Sequence, residues 1–491
     1  MKDKKTLKLL ISVVLALAIC FSCLGAVSVL VEDKLSDGRF LDKQNIEEFY
    51  ELDKNTVDVL TVGTSQVMSG FSAPELFGQY GISAYGLGTC SQPLFASYYW
   101  ILEALKTQSP KVILLETSSL FGKNVANEMS FYKAFCSMKN TSKYKYEALK
   151  IVDEEIISGG IDKLGYYSKL YKFHSRWDEI GKSDYAFLYN FKRLTYGGSA
   201  VLEEILETPL NRESLEVEKL QSTSAPKEEL SVIYFEKIAE LCKEKGIKLI
   251  LFKTPKSDWG SNQYTVTSQY AEKYSLEYID FNTPEMLDIL GIDLQYDFAD
   301  VDHLNMTGAK KVTDYLGKYL SENFDLEDYR NDSKYDSYTE TYDNYLKAFD
   351  SAMLSRCTNF SKVLDYISAS DSYSYAVLKR GVINVSEEIL QKALMLGIDC
   401  DFSQNQYFFI SCEGKEIDSK YASNSKISIS GYYSDFTNYQ TYYKNNKVYV
   451  SIFGKSVSSD ADNCILVNVY DKNLQRVIFT GVFDENLNKI K

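Results

Sequence analysis

Histidine is almost missing: only His174 and His303 occur among 491 residues. Chemistry that needs an imidazole therefore has two candidates, and no histidine-rich metal centre is in prospect. Positive charge is also short, with 54 Lys plus Arg against 68 Asp plus Glu and a formal charge of −14. No basic face is expected to neutralise phosphates, so nucleic acid is a poor partner. Outside the first 23 residues the cysteines (Cys90, Cys136, Cys242, Cys357, Cys400, Cys412 and Cys464) form no CxxC pair, which points to neither a zinc site nor a dense disulfide framework. Buried structural thiols are expected, with a Cys400 to Cys412 bridge left open. Long apolar runs are lacking beyond the N-terminus, which excludes a polytopic membrane protein.

What is present is ordinary for a chain that folds in water, with 45% hydrophobic and 25% charged residues. At about 150 residues per domain the length implies about three structural units. The one long apolar run, Leu9 to Val31, makes a helix of about 34 Å, enough for a bilayer core of about 30 Å. Lys2, Lys4, Lys5 and Lys8 precede it, and Glu32, Asp33 and Asp37 follow. The run reads as a single-pass anchor over residues 1–34, with a cytoplasmic N-terminus and the bulk of the chain outside the cytoplasm. Small residues around Ala26 to Ser28 could admit a signal peptidase instead, but a signal core is only about 7 to 15 residues long. A lipoprotein reading of Cys20 and Cys23 is disfavoured by the bulk of Ile19 and by Cys20 where the second cysteine would need an aliphatic neighbour.

Over about 45–330, short β-branched runs alternate with helical stretches. Strands are expected at Val57 to Val62, Ile82 to Leu87, Val112 to Leu115, Ile247 to Phe252 and Glu277 to Ile279. Helices are expected after the capping box begun by Ser72, over Pro93 to Lys106, over Glu228 to Lys245 and over Thr307 to Tyr319. Strands separated by helices imply a parallel sheet covered on both faces. A charged, aromatic, largely helical insertion at about 122–225 interrupts the rhythm and reads as a rim over the sheet's active edge. Residues 331–345 read as a linker, without apolar period. A second, mainly β domain follows over 346–491, with strands at Tyr375 to Leu378, Tyr407 to Cys412, Lys426 to Ser430, Lys447 to Phe453, Cys464 to Tyr470 and Val477 to Phe483. One helix between Ser386 and Gly397 lies among them.

Two signals carry chemistry. Gly63-Thr64-Ser65-Gln66 closes the first strand just before a helix, which exposes the Ser65 hydroxyl at the carboxyl edge of the sheet, where open α/β folds hold their ligands. Asp300-Val301-Asp302-His303 precedes the last helix of that region. An acid three residues before His303 can turn back onto Nδ1 and leave Nε2 free to take a proton from a serine. Asp300 is preferred for that role over the adjacent Asp302. The other histidine belongs to His174-Ser175-Arg176-Trp177, which could bind a glycan or a carboxylate, or could anchor a helix to the core.

These blocks resemble the SGNH, or GDSL-like, hydrolase superfamily: Gly63 and Ser65, Gly88 within Gly86-Leu87-Gly88-Thr89-Cys90, and Asp300 with His303. The resemblance implies a flavodoxin-like three-layer α/β/α fold, a Ser65-His303-Asp300 triad, an oxyanion hole that includes Gly88, and no cofactor or metal. Gly63-Thr64-Ser65-Gln66, Ser91-Gln92-Pro93, His174-Ser175-Arg176-Trp177 and Lys253-Thr254-Pro255 are similar to the membrane-anchored branch of DltD-like and alginate-acetylation-like proteins. That likeness implies acyl, in particular acetyl, transfer to a cell-surface polysaccharide or cell-wall polymer, or its hydrolysis, beside a polytopic membrane O-acyltransferase. The Asn block expected after the third strand is replaced by Glu116-Thr117-Ser118-Ser119, so Gln66 and Gln92 are the candidate substitute donors. Losing one oxyanion donor costs about 100- to 1000-fold in turnover, which keeps a non-catalytic glycan-binding protein as the alternative. Residues 346–491 resemble the interleukin-like EMT inducer (ILEI) domain, on Tyr375 to Gly397, Tyr407 to Gly414 and Cys464 to Asp484.

Overall fold

The structure, a computed structural model, describes residues 2–32, 42–121, 128–157, 160–181, 184, 196–216, 229–413, 416–422, 427–435, 437–472, 474 and 476–491. Asp33, Asp37, Glu228, Lys426 and the rest of the 122–225 insertion lie outside the described residues. Two compact units emerge, Met1–Tyr345 and Leu346–Lys491.

The first unit is built on five parallel strands, β1 (Val59–Gly63), β2 (Ala84–Gly88), β3 (Val112–Glu116), β4 (Lys248–Lys253) and β5 (Glu277–Asp280), in the order β2-β1-β3-β4-β5. This is the flavodoxin-like order, whose crossovers put helices on both faces. Successive side chains of a strand point to opposite faces, and here both faces are apolar. Leu60, Val62, Ile113, Leu115, Leu249 and Leu251 pack with helices Leu94–Ala104 and Glu229–Lys245. Val59, Val112, Leu114, Ile250 and Phe252 pack with Ala73–Tyr80 and Met306–Asn323. Ser72 caps the first of these, accepting from the Glu75 N–H at 3.3 Å, and Asn305 caps the second.

Among the described residues one helix, Lys2–Val31, is long and apolar enough to cross a membrane, over Leu10–Val31. The described parts of the 122–225 insertion take two courses. Its helices Glu128–Phe135 and Lys143–Ile151 sink Phe131, Phe135 and Leu149 into the core on one face of the sheet. Its later part, 196–216, runs beside β1 and β2: Gly197 O accepts from Gly86 N, and Met68 O accepts from Ala200 N. A Cβ on Gly198 would lie 1.9 Å from Gly86 O, so only glycine permits that approach. Residues 331–345 are not a plain linker. They hold a 3-10 turn and enter helix Asp336–Ser355, because Tyr335 and Tyr338 are buried with Phe77, and Tyr338 donates to Thr56 O at 2.8 Å.

In the second unit, a five-stranded antiparallel sheet contains β6 (Tyr373–Arg380), β7 (Tyr407–Glu413), β8 (Glu416–Ala422), β13 (Cys464–Asp471) and β14 (Arg476–Phe483). A four-stranded sheet contains β9 (Ser428–Tyr432), β10 (Asn438–Lys444), β11 (Lys447–Ile452) and β12 (Lys455–Ser459). Ala376, Leu378, Phe409 and Leu466 meet Tyr439, Val448, Val450 and Ile452 between the sheets. The opposite face of the first sheet packs with helices Phe360–Ser368 and Glu387–Met395. β6 and β13, covered on both faces, are buried nearly throughout. Cys400 and Cys412 are separate buried thiols.

Candidate active site

β1 ends at Gly63, and Ser65 opens helix Ser65–Gly70, with Thr64 as its N-cap accepting from Gln66 N. A Cβ on Gly63 would stand 2.7 Å from Glu116 Cβ, and one on Gly88 2.8 Å from Thr64 O. The two glycines thus allow the serine turn to sit tightly between the ends of β2 and β3.

Opposite it, Phe298 and Leu304 pair as a short antiparallel bridge that closes the turn carrying His303, whose carbonyl accepts from Ala299 N at 2.9 Å. Asp300 Oδ1 accepts from the backbone N–H groups of Asp302 and His303, both at 2.9 Å, forming an Asx-type turn. The same carboxylate lies 2.9 and 3.0 Å from His303 Nδ1. With Nδ1 bound to a carboxylate, the proton resides there and Nε2 is left as an acceptor. Nε2 lies 2.8 Å from Ser65 Oγ. The chain thus joins Ser65, His303 and Asp300 in one hydrogen-bonded line. The His303 side chain retains 17% exposure, which leaves the serine reachable. Asp302 turns the other way, to Lys256 Nζ at 2.5 Å.

Beneath the serine turn lies a buried polar network that sequence reasoning missed. Glu116 and Lys253, at the carboxyl ends of β3 and β4, are both fully buried and 3.0 Å apart. Glu116 accepts from Thr64 Oγ1 at 3.0 Å and from Ser118 N and Oγ. Burial works against its ionisation, but Lys253 and the Ser118 hydrogen bonds outweigh it and hold the carboxyl below the usual carboxylate range. Burial pulls the Lys253 ammonium down from its ordinary value, with Glu116 opposing. The available signal was a charge closing each of two apolar runs, Val-Ile-Leu-Leu-Glu116 and Leu-Ile-Leu-Phe-Lys253, which sheet pairing sets side by side.

The amides of both candidate glutamines are engaged within the fold. Gln66 Nε2 donates to Asp302 O at 2.6 Å, while its Oε1 accepts from Thr254 Oγ1 and Lys253 Nζ. It ties the serine turn to the histidine turn. Gln92 Nε2 donates to Leu87 O and Ser97 Oγ, and its Oε1 accepts from Thr89, so it braces the loop after β2. Both amides are buried and aimed into protein.

His174 and Arg176 are not brought to the serine. His174 is exposed, with Nδ1 2.6 Å from Tyr171 O. Arg176 donates to Val31 O at 2.9 Å and pairs with Glu179 and Asp184. The guanidinium satisfies a carbonyl orphaned at the C-terminal end of the apolar helix. Of the two readings of this cluster, the anchoring of a helix matches its partners.

No family model matches the chain, and no curated protein matches it. Solved structures similar to it include a chain described as a lipolytic protein of the G-D-S-L family from Desulfitobacterium hafniense, 11% identical, covering 53% of this chain and 98% of its own, with a TM-score of 0.27. A GDSL-like lipase from Bacteroides thetaiotaomicron is 11% identical, with 58% and 98% coverage and a TM-score of 0.29. A chain described as an acylhydrolase from Bacteroides fragilis is 12% identical, with 57% and 95% coverage and a TM-score of 0.28.

Proposed function

We propose that the protein is a serine acyl-transfer enzyme of SGNH type, held at the outer face of a membrane by its N-terminal helix. The observation that carries this reading is the 2.8 Å contact between Ser65 Oγ and His303 Nε2, with Asp300 on the far side of the imidazole. His303 takes the Ser65 proton as Oγ adds to the carbonyl carbon of an ester, and Asp300 stabilises the imidazolium. The imidazolium then protonates the departing alkoxide, and the acyl group remains on Ser65. The Ser65 and Gly88 backbone N–H groups, at the adjoining ends of β1 and β2, are the oxyanion donors in this scheme.

In the second half-reaction the acceptor is water or a sugar hydroxyl. Resemblance to the DltD-like branch favours an acetyl group, a cell-surface polysaccharide or cell-wall polymer, and a polytopic membrane O-acyltransferase that delivers the acyl group. The alternative is a non-catalytic glycan-binding protein, favoured by the engagement of the Gln66 and Gln92 amides and of Glu116 within the fold. Aryl-acetate hydrolysis by the full chain beside Ser65→Ala separates the two: serine-dependent turnover supports the enzyme, and equal background rates support the binding protein.

A further inference from the structure

The apolar helix is not uniformly free of the rest of its unit. Residues 10–26 are exposed, whereas residues 27–30 are half-buried and Val31 is fully buried. Val27 and Val31 join the core that also holds Phe173. Helix Lys169–Phe173 and the 3-10 turn His174–Asp178 pack against this end of the helix. Arg176 binds Val31 O, and Lys169 pairs with Glu32 at 3.2 Å.

Lengths then constrain where the body of the unit stands. From Leu9, just past the charge of Lys8, to Ala26, the last exposed residue before the cover begins, the helix is about 27 Å long, shorter than a bilayer core of about 30 Å. If the helix spans, hydrocarbon must reach the level at which protein begins to cover it. Tyr171 and Trp177, on the two elements that pack against this end of the helix, are 45% and 54% exposed, and Leu164, on the helix Lys163–Tyr167 that packs against Lys169–Phe173, is 61% exposed. One exposed leucine and two exposed amphipathic rings on the elements around a helix exit suit the headgroup boundary, where Tyr and Trp place a ring in the apolar zone and a polar edge in water.

We infer that Leu164, Tyr171 and Trp177 form a lipid-contacting patch that seats this unit on the outer leaflet beside its own anchor. The inference rests on the anchored reading above. Its partner is the bilayer surface, contacted from residues 163–178 and not through the helix alone.

Tryptophan fluorescence reads the contact directly, because the chain has three tryptophans and the other two are shielded: Trp100 is 0% and Trp259 3% exposed. The full chain would be reconstituted into phosphatidylcholine–phosphatidylglycerol vesicles carrying brominated acyl chains, beside Trp177→Phe. The expected result is bromine quenching in the wild-type chain that is lost in Trp177→Phe, with an unchanged melting curve showing that the variant is folded. Absence of quenching, or equal quenching in both chains, overturns the patch. Alkaline extraction and intact mass separate that failure from failure of the anchor. An uncleaved chain that resists extraction but is not quenched refutes the patch alone, whereas a cleaved or extracted chain refutes both.

Discussion

The two histidines sit in opposite surroundings. His303 is held on both nitrogens, by Asp300 at 2.9 Å and Ser65 at 2.8 Å, on a turn whose backbone the same aspartate clasps. His174 is exposed and binds a backbone carbonyl three residues back, in a segment devoted to the end of the apolar helix. The imidazole is the same, and the second partner makes the difference. A carboxylate on Nδ1 fixes the tautomer and balances a proton gained at Nε2, whereas a carbonyl does the first and not the second.

That contrast can be broken in order of expected effect. Ser65→Ala should lower aryl-ester turnover by about 10³- to 10⁶-fold, read as kcat with KM little changed. Asp300→Asn keeps the shape but disfavours the productive tautomer, and kcat should fall about 10⁴-fold. Glu116→Ala strands the Lys253 charge in a dry site, and urea unfolding should register a loss of about 3–5 kcal/mol. The pH dependence of this pair has a defined sign. The Glu116 carboxyl is held below its unfolded value of 4.5, so its contribution is complete above that value and disappears as pH falls through the lower folded one. Glu116→Gln should flatten that acid limb of the stability curve, and an unchanged limb would remove Glu116 as its source. Gln66→Ala unties the serine turn from the histidine turn, and a misplacement of that kind costs about 10²-fold in kcat. His174→Ala should change turnover by no more than about twofold, as expected of an exposed side chain away from the chemistry; a large loss there would undo the contrast.

The parts of this architecture legible in the sequence were those with strong local signals. The five parallel strands lie within two residues of the expected bounds, since β-branched runs flanked by turns have few other folds open to them. The Ser65 and Asp300-to-His303 blocks stood out because each couples a strand or turn to a helix start. Three features were hidden. β8, β10 and β12 escaped because runs such as Asn438-Tyr-Gln-Thr-Tyr-Tyr-Lys444 and Lys455-Ser-Val-Ser-Ser459 have little apolar alternation, and cross-strand pairing rather than composition forms them. The Glu116–Lys253 pair was hidden because its partners are far apart in the chain and meet only through sheet order. Arg176 reads as a site candidate in the sequence because a guanidinium beside a tryptophan suits a ligand as well as a helix end, and its partners Val31 O, Glu179 and Asp184 distinguish the two.

The central claim, that His303 activates Ser65, is tested most directly by an alkyl fluorophosphonate, which bonds covalently only to an activated serine. Peptide mapping of the labelled full chain should find the adduct on Ser65, with labelling abolished in His303→Ala and retained in His174→Ala. An unlabelled wild-type chain, or an adduct on any other serine, would contradict it.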